Sequence, residues 1–189
     1  MLVHDVTLTQ WGVVIGASLV GGLIDLRQGR IPNLLTLPLA IGGMAWMTIG
    51  GGWGGLASSL GGLALLLLPF FLLFLFAGGG AGDAKLMGGI GAWLGPGPGL
   101  AVLVAVILAG GLLGLAVAVR RGRLGLMLAN VGRVTRAMYM ILATRRLMGT
   151  WMQYAPDPAT KMTPMRYGPA IFIGVLAVAI LNGLQGTQG

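Results

Sequence analysis

Four side chains in this 189-residue chain can carry a negative charge, Asp5, Asp25, Asp83 and Asp157, and none of them is a glutamate. Two sit where a carboxylate is out of place. Asp83 lies in GGGAGDAKLMGG, residues 78–89, straight after the apolar run LALLLLPFFLLFLF and just before another apolar stretch. Asp25 closes the first apolar stretch of the chain and opens DLRQGRIPN. An ionisable group in such surroundings is costly and is seldom kept without a use. Two carboxylates brought face to face cannot both ionise easily, so they share a proton. One can then act as base on a water while the other donates to a carbonyl oxygen. That is the apparatus of aspartic peptide hydrolysis, and Asp25 and Asp83 are its candidates. Asp5 and Asp157 read as ordinary surface residues.

Each residue also has a plainer reading. Asp25 can pair with Arg27 or Arg30 at a membrane interface. Asp83 can cap the helix that follows it, Lys85 can be a snorkelling anchor, and the glycines can be close-packing surfaces between helices. A phosphate loop is excluded, because GGGAGDAK lacks the GK[ST] ending. The chain has no cysteine and one histidine, His4. Two carboxylates without histidine or cysteine are a poor ligand set, so no metal is expected, and nothing calls for a cofactor. A helix start and Lys85 both favour a charged Asp83, whereas Asp25 ends a helix, so Asp83 is expected to be the more acidic of the two.

The elements that must position this pair are apolar helices. Hydrophobic residues make up 56% of the chain and charged ones 8%, against roughly 25% charged in an ordinary globular protein. The fold class is an all-α integral membrane protein forming a single domain, with six transmembrane helices expected at about 8–24, 34–49, 56–76, 84–94, 100–119 and 169–184. The connections are an interfacial segment in which Pro32 and Asn33 suit a helix start, a glycine turn at residues 50–55, a GPGPG turn at 95–99, and a basic loop over 120–166. Within that loop, residues 126–148 fit either an amphipathic surface helix or a solvated loop. Tyr167 opens YGPAI, where Pro169 suits the first turn of the last helix. The short stretch 84–94 rises about 16 Å, around half of the ~30 Å hydrocarbon core. Either Asp83 is sunk below the near surface, or residues 78–82 continue the preceding helix and leave it nearer the interface.

The net charge of +8 comes from twelve lysines and arginines. Arg27 and Arg30 fall in the first connection, Lys85 in the third and the remainder in the fifth. By the positive-inside rule these connections face the cytoplasm and both termini face out. Asp25 and Asp83 then share the cytoplasmic side. The basic residues have no aromatic interleaving and flank apolar stretches, so nucleic acid is not an expected partner and the lipid bilayer is.

These segments resemble a known family. GAGDAKLMGGIGAWLG, residues 80–95, resembles the GxGD motif of type IV prepilin peptidases, membrane aspartic proteases of the cytoplasmic (inner) membrane. IDLRQGRIPNLLTL, residues 24–37, is similar to the family's first-aspartate segment, and YGPAI to its last helix. The resemblance implies that Asp25 and Asp83 are the catalytic pair and that Gly80 and Gly82 shape the turn presenting Asp83. It also implies that the substrates are prepilin-like or preflagellin-like precursors, cleaved at their short basic leader. Larger members carry an amino-terminal insertion with paired CxxC motifs and methylate the new terminus. This chain has neither the insertion nor a cysteine, which puts methyl transfer in doubt. It looks more like the short peptidases of Flp/Tad-type pilus systems or the archaeal preflagellin peptidases.

Two readings from other classes stand beside this one. A proton-coupled transport component would place its aspartates near the bilayer midplane and show internal repeats, and no repeat is evident. A non-catalytic component of a secretion system would have no need of an intact pair.

Overall fold

The computed structural model describes residues 6–77, 80–122 and 166–186, with isolated positions between 124 and 139. Most of the basic loop, including most of residues 126–148 and with them the choice between a surface helix and a solvated loop, lies outside the described residues. The described residues are helical, without strands. Five helices are delimited among the described residues, α1 (Leu8–Gln28), α2 (Asn33–Ala77), α3 (Ala81–Leu94), α4 (Pro96–Arg120) and α5 (Gly168–Gly186).

Helix α1 starts on a reciprocal cap. The Gln10 amide donates to Thr7 Oγ1 at 3.3 Å, and the Thr7 amide donates to Gln10 Oε1 at 2.9 Å. It stops at Gly29, whose φ of 66° is the left-handed conformation that glycine adopts without strain. This is one turn further than the expected span, so Asp25 belongs to the helix and the first connection shrinks to residues 29–32.

At 1.5 Å per residue, an unbroken helix as long as α2 would reach about 68 Å, more than twice the ~30 Å hydrocarbon core. It is broken at Gly52, with φ 56° and ψ −141°. Beyond the break the chain doubles back, so that a side-chain carbon on Gly55 would overlap the Met47 carbonyl. The two arms run in opposite directions along α3. Leu39 and then Gly43 meet Gly89 and then Ala92, whereas Gly62 and then Leu67 meet Gly91 and then Gly88. The expected second and third spans are therefore the arms of one hairpin. Its turn is the single residue Gly52 rather than all of 50–55.

Helix α3 is clamped between these arms. A Cβ on Gly43 would come within 2.8 Å of the Trp93 amide nitrogen, and one on Gly62 would overlap the Gly91 carbonyl. The glycines here act as close-packing surfaces. Another single-residue joint follows: Gly95, at φ 71°, ends α3, and Pro96 begins α4. The expected GPGPG loop is thus the first turn of a helix, where proline loses no hydrogen bond because its amide would be unpaired anyway.

Helix α5 packs on α1 and α4. Leu66, Leu86, Met87, Ile90, Val102, Val106, Ile171 and Val175 are fully buried, and the core they belong to draws on all five helices. Leucines, isoleucines and valines cover the outside instead, including Leu23, Leu37, Ile107, Leu112 and Ile180. An apolar core inside an apolar surface suits a bilayer, not water. Among the described residues three helices are long and apolar enough to cross one, with a shorter apolar stretch at Gly168–Gly183.

Candidate active site

Asp25 and Asp83 come from different helices and line one cavity of about 270 Å³, together with Arg30, Ile31, Gly80, Gly82 and Lys85. Both carboxylates are buried, at 5% and 6% exposure, so neither is an ordinary interfacial side chain.

Asp25 sits in the last turns of α1 and faces the start of α5. Its Oδ2 accepts the Gly168 amide at 3.0 Å. The approach needs glycine on both sides. A Cβ on Gly168 would lie 2.8 Å from the Asp25 Cβ, and one on Gly22 would lie 3.1 Å from the Gly168 carbonyl oxygen. The neighbouring Arg166 guanidinium donates to the Leu26 carbonyl, tying the entry of α5 to the end of α1. The Asp25 carboxylate therefore faces the amide at the amino-terminal end of α5.

Asp83 is the third residue of α3, and Gly80 is its N-cap. The Asp83 amide donates to the Gly80 carbonyl at 3.2 Å, and the Gly80 amide hydrogen-bonds back to the Asp83 carboxylate. That is the acidic half of a capping box, so Asp83 caps its helix as well as lining the cavity. Gly80 has to be small, because a Cβ there would lie 2.7 Å from Asp83 Oδ2. Gly82 was expected in the turn, but it lies in the first turn of α3, where a Cβ would meet the Ile31 amide nitrogen at 3.0 Å. Its role is to let the 29–32 segment, and with it the end of α1, come close to α3.

The Asp83 carboxyl is pushed up to about 7, first by burial, then by the charge of Asp25, with the Gly80 hydrogen bond acting in the opposite direction. The expectation of an acidic Asp83 fails in this respect. It weighed the helix start and Lys85 but left out burial, which is the largest cause of the shift. Lys85 is exposed, and its Nζ donates to Asn33 Oδ1 at 2.9 Å, away from the carboxylate.

The other expected residues take supporting places. Arg27 is exposed on the last turn of α1. Pro32 offers its carbonyl to the Leu35 amide at 3.1 Å, starting α2, and Asn33 begins that helix. Tyr167 stacks edge-on to Phe70, with centroids 6.2 Å apart, and lies against Gly110. Burial and the charge of Asp83 push its phenol up. Pro169, the second residue of α5, is half-buried beside Gly22. Gly22, Ile31, Arg166 and Gly168 were not anticipated. The signal for Gly168 was present in YGPAI, a glycine beside a helix-starting proline, but the partner it serves is 143 residues away. Among the described residues no group of three metal-ligating side chains occurs.

The geometry can be set beside known proteins. Residues 12–115 match the model of the type IV leader peptidase family, a stretch that takes in both aspartates. The prepilin leader peptidase/N-methyltransferases of two Burkholderia pseudomallei strains, 1026b and K96243, are each 36% identical over 115 residues, covering 57% of this chain and 37% of theirs. Leader peptidase HopD of Salmonella typhimurium is 35% identical over 83 residues, covering 40% of this chain and 53% of its own. The chain thus spans between about a third and a half of these relatives. No solved structure matches. With more than half of its length matched by the family model, the chain belongs to the type IV leader peptidase family.

Proposed function

We propose that this protein is a membrane aspartic endopeptidase that removes the basic leader from prepilin-like or preflagellin-like precursors at the cytoplasmic face of the inner membrane. The observation that carries the reading is the pair of buried carboxylates, from two helices, lining one cavity. Asp25 takes a proton from a water whose oxygen attacks the scissile carbonyl carbon, and protonated Asp83 donates to the carbonyl oxygen. As the tetrahedral intermediate collapses the carbon–nitrogen bond breaks, and the leaving amine takes up a proton from the pair. The helices supply rigid positions for both groups, as such a division of roles needs.

Six passes with both termini outside are the topology that goes with this reading. The α2 hairpin supplies two of the passes, and the distribution of basic residues sets the direction. The proposal is confined to the peptidase half of the Burkholderia relatives' name, since this chain has no cysteine. A proton-coupled component is disfavoured by the position of the pair at the ends of helices.

The test is co-expression with pilin-type precursors from the same genome, reading precursor length by gel and mass spectrometry. A shortened product is expected with the wild-type chain and not with Asp25→Asn. Reporter fusions after Gly52 should be exported and those after Arg146 should remain cytoplasmic. Uncut precursor throughout would overturn the activity, and an exported Arg146 fusion would overturn the topology.

A further inference from the structure

A second cavity, of about 210 Å³, opens between the two arms of α2 over the glycine surface of α3. Thr36, Leu37 and Ala40 line it from one arm and Leu67 from the other, while Asn33 and Lys85 stand at its polar rim. Lys85 also lines the aspartate cavity, so the two cavities are neighbours across one side chain. The cleft opens sideways, because Leu37 at its edge is 58% exposed and belongs to the apolar outer surface. Two of its polar groups lack a matching partner among the described residues. Lys85 Nζ donates to the neutral Asn33 Oδ1, and no carboxylate pairs with the ammonium. Thr36 is 3% exposed, but its hydroxyl has no hydrogen-bond partner and is not sealed from the cavity. The Pro32 carbonyl, which a helical threonine four residues on can bind, already accepts the Leu35 and Thr36 amides. A buried hydroxyl is normally hydrogen-bonded, and one left open to a cavity indicates a group that arrives from elsewhere.

We propose that the cleft seats one phospholipid of the cytoplasmic leaflet, its phosphate on Lys85 and the Asn33 side-chain nitrogen, an ester carbonyl on the Thr36 hydroxyl, and part of an acyl chain along Ala40 and Leu67. The order of chemistry along α2 carries the inference. At 1.5 Å per residue Thr36 lies about 4.5 Å, and Ala40 about 10 Å, further along the helix than Asn33. Cation, hydroxyl and apolar wall therefore follow one another as phosphate, ester and acyl chain do in a lipid. The positive-inside rule sets the rim at the cytoplasmic surface, where basic pockets between membrane helices take anionic headgroups. Free phosphate would occupy the rim and leave both the Thr36 hydroxyl and the apolar wall uncovered. Gly88 keeps the floor of the cleft low, since even a Cβ there would come within 3.1 Å of Leu67. The seat rests on the proposed membrane orientation and not on the peptidase reading.

The test uses the full chain in detergent micelles, with native mass spectrometry counting bound lipid as phosphatidylglycerol is added. The wild type should bind one molecule saturably. Lys85→Gln should weaken that binding about tenfold or more, as loss of a charge-assisted hydrogen bond does. Thr36→Val, which keeps the shape and removes the hydroxyl, should weaken it about fivefold, the size of one neutral hydrogen bond. Ala40→Leu should block the acyl chain, whereas Leu112→Ala, on the outer face of α4, should change nothing. Dioleoylglycerol, which lacks the phosphate, should bind the wild type more weakly than phosphatidylglycerol does, and inorganic phosphate should not displace the lipid. Thermal unfolding in the same detergent checks that each variant is folded, and Thr36→Val and Lys85→Gln keep the test open should Ala40→Leu fail. Equal binding by every variant would make the lipid an unspecific annulus and overturn the seat. Displacement by inorganic phosphate would also overturn it, leaving an anion site alone.

Discussion

The two ends of α3 are built on opposite terms. At its carboxyl end, buried polar groups are paired at close range. Gln10 Nε2 donates to the Trp93 carbonyl at 2.6 Å, Ser59 Oγ to the Ala92 carbonyl at 2.8 Å, and Trp93 Nε1 to the Leu39 carbonyl at 2.7 Å. Gln10 and Ser59 thus bind carbonyls that the end of α3 would otherwise leave unpaired, Trp93 reaches a carbonyl within α2, and the glycines of α2 close the space around them. At its amino end, two buried carboxyl groups share an open cavity, and the donors on them are single backbone amides. Burial and repulsion there raise the Asp83 carboxyl instead of neutralising it against a cation. Local rules are satisfied where the helix is held and strained where it meets the cavity, which is the pattern expected when one end of an element is structural and the other does chemistry.

The largest expected effect breaks the reacting end alone. Asp25→Asn and Asp83→Asn should each lower processing by about a thousandfold or more, within the range for losing a general acid or base. The substitution keeps shape and hydrogen-bonding capacity, so membrane insertion and thermal unfolding should change little. Processing by purified variants in detergent, with unfolding followed in parallel, decides it. A wild-type rate from Asp25→Asn would reduce that residue to an anchor. Asp5→Asn and Asp157→Asn should process normally.

The next prediction breaks the structural end. Gln10→Ala leaves the buried Trp93 carbonyl without its partner and should destabilise by about 1–3 kcal/mol, while processing per folded molecule is kept. Thermal unfolding and rate measured on the same sample separate the two ends. If Gln10→Ala instead lowered the rate at unchanged stability, the division between them would be lost.

The sequence made the aspartate end of α3 easier to read than the other. Asp25 and Asp83 stood out because carboxylates are scarce in this chain and costly in apolar surroundings, and the apolar stretches marked the helices to within a turn. Contacts at long range were not legible. Gln10 lies 83 residues from the carbonyl it binds, and Gly168 lies 143 from Asp25. Glycine runs marked the turns but not their size, since one left-handed residue, Gly52 or Gly95, makes the whole reversal. The acidity of Asp83 was misjudged for a related reason. Asp25 ends its own helix, but the fold sets it at the start of another, and only the tertiary arrangement brings it to bear on Asp83.

That arrangement has a pH signature smaller than either loss. With Asp83 pushed up to about 7, its carboxyl holds a proton below that pH. Above it that proton is lost and the acid is missing. The rate should therefore fall as pH rises through about 7. Infrared titration of Asp83 in Asp25→Asn should still find it above the ordinary carboxylate value, because burial outweighs the charge of Asp25. A return to the ordinary value would make repulsion the main cause.

The smallest expected effect concerns Lys85, which stands between the two cavities. Its ammonium is exposed and held by Asn33, so water and salt screen its field at Asp83. Lys85→Ala should lower kcat/KM by less than about tenfold, with the loss shrinking as ionic strength rises, as for a screened surface charge. If the lysine acts by being held at the rim, Asn33→Ala should cost a similar amount. The double variant should then be no worse than Lys85→Ala, because residues that work through one contact are not additive. Measuring kcat/KM for the wild type, both single variants and the double closes the cycle. Additive losses would mean that Asn33 and Lys85 act separately, and a loss on the scale of the aspartate variants would move Lys85 from the rim into the chemistry itself.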